Sequence, residues 1–175
     1  MGLKVGAVYL EKYNPIWKEM FEEEKRNLEK IFNDKYISIE HVGSTSIIGL
    51  SAKPIIDIQV SIRNFSDFEH VRNYFEKMPY SIKMDSDSDE ILVRKGDENN
   101  RTHFIHIVED GSLRCINTLL FRDYLRNHDD IKKDYENLKI DLAKKFENDR
   151  KSYTASKNEF IKSVLEMARN EVKEV

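Results

Sequence analysis

The nine residues PIIDIQVSI, beginning at Pro54, constrain this chain more than any other stretch. Side chains alternate across a strand, so Ile56, Ile58, Val60 and Ile62 point into a core while Asp57, Gln59 and Ser61 share the opposite face. A polar stripe on a strand so apolar on its other side calls for a function. The preceding YISIEHV, residues 36–42, alternates in the same way: Ile37, Ile39 and His41 lie on one side, and Ser38, Glu40 and Val42 on the other. Between the two runs GSTSIIGLSAK breaks the period, so two strands flank a connection rich in Gly and Ser.

The surrounding pattern is mixed. Asn14-Pro15 is a helix start, because Asn caps orphan amides and Pro loses nothing at the first helical position. Trp17, Met20, Phe21, Leu28 and Ile31 supply its buried stripe. Ser66 with Glu69 reads as a capping box ahead of Phe68, Val71, Phe75 and Met78. Three short strands are expected at 80–84, 90–95 and 103–108, split by DSDSD and GDENNR, as a meander closing the sheet. From Ser112 onward three helices are expected, carrying Ile116 to Tyr124, Ile131 to Phe146 and Phe160 to Ala168. KKFENDRK reads as a solvated face or turn. The expectation is one α+β domain over residues 1–175, with an α/β half at about 9–110 and a helical bundle at 112–174.

A length of 175 residues suits one domain. A net charge of −3 lacks the basic surplus that binding to duplex nucleic acid requires. The lone cysteine, Cys115, forms no internal disulfide and reads as a small buried side chain. No apolar run approaches the ~20 residues of a membrane span, and the N-terminal stretch has no export signal. A cytoplasmic protein without a membrane partner is expected.

A Gly-Ser pair after a strand offers backbone amides and a hydroxyl to an anion, which makes Gly43, Ser44, Thr45 and Ser46 candidates for a phosphate cradle. Gly49 is followed by Leu50-Ser51 where a Walker loop has Lys-Ser/Thr; Ser44 and Ser46 do not sit in G-x-S-x-G; the dinucleotide fingerprint is absent. What remains is Gly-Ser, the 12 residues Thr45 to Ile56, and a carboxylate on a strand, which resembles the nucleotidyltransferase signature. HVGSTSIIGLSAKPIIDIQV, HFIHIV, LFRDYLR with YENLKIDLA, and YTASKNEFI together resemble the GrpB family from about Tyr9 to Ala168.

That resemblance implies a fold like the nucleotidyltransferases related to DNA polymerase beta. In those enzymes paired carboxylates hold two magnesium ions that activate the attacking hydroxyl and neutralise phosphate charge. Asp57 matches the first acid, and Gln59, a weaker magnesium ligand, stands at the second. On the strand alternation His106 shares a face with Phe104 and Val108, so Asp57, Gln59 and His106 form the candidate metal set, with Glu40 and Glu90 as acidic substitutes. Magnesium or manganese suits the carboxylate, and a zinc-type metal suits the histidine. His41 could stand beside His106, making Asp57, His106 and His41 the candidate catalytic residues. The competing reading has both histidines as hydrogen-bonded core residues.

Arg122 and Arg126 lie four residues apart on one helical face and could grip one phosphate, with Asp123 and Tyr124 orienting them. The competing reading pairs these arginines with neighbouring acids. Tyr135 with Lys139 and Tyr153 with Lys157 repeat the spacing and could close the rim, and Lys53 and Arg94 are further phosphate candidates. The expected ligand is a nucleoside triphosphate or another phosphorylated small molecule, with nucleotidyl transfer to a small acceptor as the expected reaction. A nucleotide- or metabolite-binding or partner-assisting module, and a metal-dependent hydrolase using His41, Asp57 and His106, are the alternatives; the oligomeric state is left open.

Overall fold

The computed structural model describes residues 2–83 and 89–173. Helix α1 (Ile16–Phe32) starts where Asn14 Oδ1 accepts the Ile16 amide at 3.1 Å. It leads into β1 (Ser38–Val42), a 3₁₀ turn at Ser44–Ser46, and β2 (Ile56–Ile62). Then come the short helices α2 (Phe65–Glu69) and α3 (Arg72–Phe75), and the strands β3 (Tyr80–Lys83), β4 (Ile91–Gly96) and β5 (Arg101–Glu109). Helices α4 (Leu113–Asn127), α5 (Asp129–Lys145), α6 (Arg150–Ala155) and α7 (Asn158–Lys173) complete the chain.

The five strands form one mixed sheet in the order β1-β2-β5-β4-β3. β2 pairs antiparallel with β1 and parallel with β5, and β3, β4 and β5 are the expected antiparallel meander. The period-two alternation of β2 divides the molecule. Ile56, Ile58, Val60 and Ile62 join Ile105 and Ile107 of β5 beneath Trp17, Leu28 and Phe32 of α1 and Phe68 and Phe75 of α2 and α3. Each such fully buried side chain contributes about 1.5–3 kcal/mol, so this face is the main store of stability. Glu24 of α1 is buried on the same side, held by Lys95 Nζ at 2.5 Å and the Tyr80 hydroxyl at 2.8 Å.

The other face carries the C-terminal helices. Ile47 and Leu50, from the connection after the 3₁₀ turn, pack with Leu125 and Tyr135 in a second, smaller core. That packing ties the Gly/Ser-rich segment to α4 and α5. Cys115 is buried and receives the side-chain amide of Gln59 at 3.3 Å.

Three local expectations are corrected. Ser66 does not open α2: Asn64 caps it, accepting the Ser66 amide at 3.1 Å, so the cap lies two residues before the expected one. Met78 lies beyond α3 and is exposed, while Phe68, Val71 and Phe75 form the buried stripe. Among the described residues after Ser112 there are four helices and not three, because α5 stops at Lys145 and Asp149 caps a new short helix through the Ser152 amide. Of the DSDSD turn, residues 85–88 lie outside the described residues, as does residue 84 of the expected strand. Among the described residues no helix is long and apolar enough to cross a membrane.

Candidate functional site

Gly43 has φ +67°, and a Cβ there would stand 2.5 Å from Asp57 Oδ2. β1 and β2 pair Val42 with Asp57, so the chain turns directly over that carboxylate and only glycine fits. The turn uses much of its own polarity. The Ser46 and Ile47 amides go to the Gly43 and Ser44 carbonyls at 3.2 and 3.3 Å, and Ser46 Oγ donates to the Gly43 carbonyl at 2.7 Å.

Beneath the turn lies a cavity of about 260 Å³ lined by Gly43, Ser44, Thr45, Asp57, His106 and four cationic side chains: Lys53, Lys139, Arg150 and Lys157. Each cation rests on an aromatic ring. Lys53 and Lys157 Nζ lie 5.0 and 4.6 Å from the centroid of Tyr153, Lys139 Nζ 4.9 Å from that of Tyr135, and Arg150 Cζ 4.7 Å from that of Phe104. Among the described residues none of the four is within ion-pair distance of a carboxylate. Lys139 Nζ donates to the Ser51 carbonyl. Burial, reinforced by the neighbouring cations, lowers Lys53 and Lys139 to about 7 and Lys157 to about 8.

The single carboxylate of the cavity belongs to a chain of alternating charges. His106 donates through Nδ1 to Glu90 at 2.7 Å and through Nε2 to Asp57 at 3.4 Å, and Arg114 holds Glu90 at 2.8 Å. Burial opposes the imidazolium, yet its two carboxylate partners prevail and raise His106 to about 9. At neutral pH two acids therefore face two cations in this chain; Arg150 and most of Lys157 remain as surplus positive charge, with Lys53 and Lys139 charged in part.

The other candidates separate from this cavity. Gln59, on the same face of β2 as Asp57, donates its side-chain amide to the Cys115 carbonyl and Sγ at 3.5 and 3.3 Å, is 1% exposed, and does not line the cavity beside Asp57. His41 pairs with Ile58 and takes the α1 face, where its ring stacks on Phe21 at 4.8 Å and its Nε2 meets Thr45 Oγ1 at 3.0 Å. Burial lowers His41 to about 4 and keeps it neutral. The trio His41, Asp57 and His106 is thus not assembled, because strand alternation sends His41 to the opposite side of the sheet from the other two.

Arg122 and Arg126 likewise leave the cavity. Arg122 donates to Glu40 at 2.8 Å, to Asp123 at 2.7 Å and to the His41 carbonyl at 3.1 Å; Arg126 donates to the Ser46 carbonyl at 2.9 Å. They line a second cavity of about 560 Å³, with His41, Ser46, Phe21 and Ile48, on the far side of the turn. Thr45 borders both. Arg94 does not line the first cavity; it pairs in register with Phe104, which does.

The donor set does not fit a catalytic divalent metal. Asp57 has no second carboxylate on its strand, both ring nitrogens of His106 are engaged by acids, and the nearest other charges are positive. Among the described residues no group of three or more His, Cys, Asp and Glu could hold a metal ion.

Two participants escape the sequence reading. Arg150 lies in KKFENDRK, which reads as a solvated face or turn; it opens the short helix α6, whose six residues carry no readable period. Arg114 enters only through Glu90, a contact no spacing reveals.

Comparison with known proteins meets this geometry. The family profile described as GrpB protein matches residues 7–167. The chain is 35% identical over 170 residues to the glutamate-rich protein GrpB of Alkalihalophilus pseudofirmus, covering 94% of this chain and 98% of that one. It is 37% identical to the UPF0157 protein YqkA of Bacillus subtilis, covering 90% of this chain but 46% of that longer protein. The crystal structure of the conserved protein GrpB from Enterococcus faecalis superposes with a TM-score of 0.86 at 33% identity, over 94% of this chain and 99% of that one. The motifs around the Gly43 turn and Asp57 thus occur in a chain that, along nearly its whole length, belongs to the GrpB family.

Proposed function

We propose that this chain binds a phosphorylated small molecule, a nucleoside triphosphate among them, with its phosphates in the Asp57 cavity. One observation carries the reading: Lys53, Lys139, Arg150 and Lys157 converge on a small cavity, and among the described residues none of the four has a carboxylate at ion-pair distance. Uncompensated buried cations are costly, and an anion supplied by a ligand removes that cost. The aromatic rings beneath the cations hold them without neutralising them, so their charge is left for the ligand.

The Gly43-Ser44 turn followed by Asp57 supports a nucleotidyltransferase-like arrangement, and the engagement of Gln59 by Cys115 argues against the two-metal form of that chemistry. We therefore read the site as a phosphate receptor in which side chains do the work magnesium does elsewhere. Asp57, held by His106, forms the negative end of the cavity, which orients a ligand with its phosphates toward the lysines.

Thermal unfolding and calorimetry with ATP, inorganic tripolyphosphate and adenosine, with and without magnesium, test this. ATP and tripolyphosphate should stabilise the protein without a metal, by about 2.7 kcal/mol at a hundred times the dissociation constant. Adenosine should not. Stabilisation by adenosine alone, or by no phosphorylated compound, overturns the proposal.

A further inference from the structure

Arg101 is 6% exposed, and among the described residues its Nε and Nη1 have no hydrogen-bond partner; neither does the buried Nε of Arg94. A buried donor left unpaired costs about 1–3 kcal/mol, and more when charged. Two neighbouring strands therefore carry, at one place, donors that the protein itself leaves unsatisfied.

That place adjoins the cavity. Arg94 is the β4 register partner of Phe104, and the Arg150 guanidinium covers the Phe104 ring at 4.7 Å. Arg101 feels the charges of both Arg94 and Arg150, and Arg150 that of Arg94, so three guanidinium groups share one field. Asp97 and Glu98 offset part of the charge at Arg101, and Asp57 part of that at Arg150. The lysines of the cavity rest on Tyr135 and Tyr153, and of the three arginines it is Arg150 whose charge reaches Lys53 and Lys157.

We infer that Arg94, Arg101 and Arg150 form a second anion subsite at the Phe104 end of the cavity, so that the ligand is a polyphosphate or carries two separated phosphate groups. Guanidinium forks suit this end because each presents several donors to the oxygens of one phosphate. The lysines, as point charges, receive the other anionic group. Arg150, which lines the cavity and shares the arginine field, joins the two subsites. This inference rests on the phosphate-binding proposal and narrows its ligand class.

Calorimetry with orthophosphate and tripolyphosphate on the full chain and on Arg94→Gln and Arg101→Lys separates the two claims. The wild-type protein should bind tripolyphosphate at least about tenfold more tightly than orthophosphate, the equivalent of one charge-assisted hydrogen bond. Each variant should lose most of that advantage while its orthophosphate affinity stays within about twofold. Arg94→Gln, which alters the less buried arginine, decides the matter should Arg101→Lys fail to fold. Equal affinity of the wild-type protein for the two anions, or an advantage intact in Arg94→Gln, overturns the subsite and leaves phosphate binding standing. No binding of either anion or of ATP overturns both.

Discussion

On one side of the Gly43–Ser46 turn, Lys53, Lys139, Arg150 and Lys157 rest on aromatic rings and, among the described residues, have no acid at ion-pair distance. On the other side, Arg122 and Arg126 are tied to Glu40, Asp123 and the carbonyls of His41 and Ser46. The two cavities share Thr45 and are both basic. The comparison teaches that a count of cations does not distinguish the two sides; whether each cation has a partner does. Paired arginines hold elements together, here α4 to the edge strand β1. Buried lysines without an acid weaken the fold, and under the proposed function a ligand's phosphates offset that cost.

The strongest way to break this comparison is at the wall between the cavities. Gly43→Ala should destabilise the protein by about 3 kcal/mol, because the added Cβ meets Asp57 at a positive φ. Denaturant unfolding measures it, and wild-type stability would mean that the turn does not press on Asp57. Next, Arg122→Met should cost about 2 kcal/mol, discounted because Glu40 and Asp123 are partly exposed, while leaving tripolyphosphate affinity unchanged. A loss of affinity in that variant would erase the distinction between the two sides.

Lys139→Met should do the reverse: gain about 1 kcal/mol in the ligand-free protein and lose about tenfold in tripolyphosphate affinity. A destabilised variant with full affinity would return Lys139 to a structural role. The last test lies in the pH dependence, where the sign of the change decides. Lys53 and Lys139 release their protons near 7 and Lys157 near 8 in the folded state, while the unfolded lysines hold theirs to about 10.4. Above those values the unfolded chain binds more protons, so stability from the lysines rises with pH. His106 opposes this: its pKa is raised to about 9, and its contribution, full below about 6.5, is lost as pH rises through 9. The lysines outnumber it, so stability should climb between about pH 8 and 10 as ligand affinity falls. A flat stability profile over that window would show the amines to be solvated.

Much of the fold was legible in the residues. The alternation of Ile56, Ile58, Val60 and Ile62 identified the central strand and its buried face, and the stripe of Trp17, Phe21 and Leu28 identified the helix that covers it. The meander was legible from its turns. The split into α6 was not, because Arg150–Ala155 is a short helix held by the Asp149 cap and by Tyr153 packing, and its six residues are too few to show a period.

The candidate site was legible in part. Gly43, Ser44, Thr45, Asp57, His106, Lys53, Lys139 and Lys157 line one cavity. Gln59, His41, Ser46, Arg94, Arg122 and Arg126 do not. His41 could have been assigned from strand parity, since it alternates with Ile39 on the apolar side of β1.

By itself the sequence determined which side chains share a face and where only glycine can turn, because both follow from backbone geometry within a few residues. Only the tertiary structure decided which charges are neutralised. Arg122 finds Glu40 across 82 positions of chain, and Gln59 finds Cys115 across 56. Charge and hydrogen-bond partners are chosen by distance in space, and in this fold those distances are set by how the helices after Ser112 pack on the sheet, which no local pattern encodes.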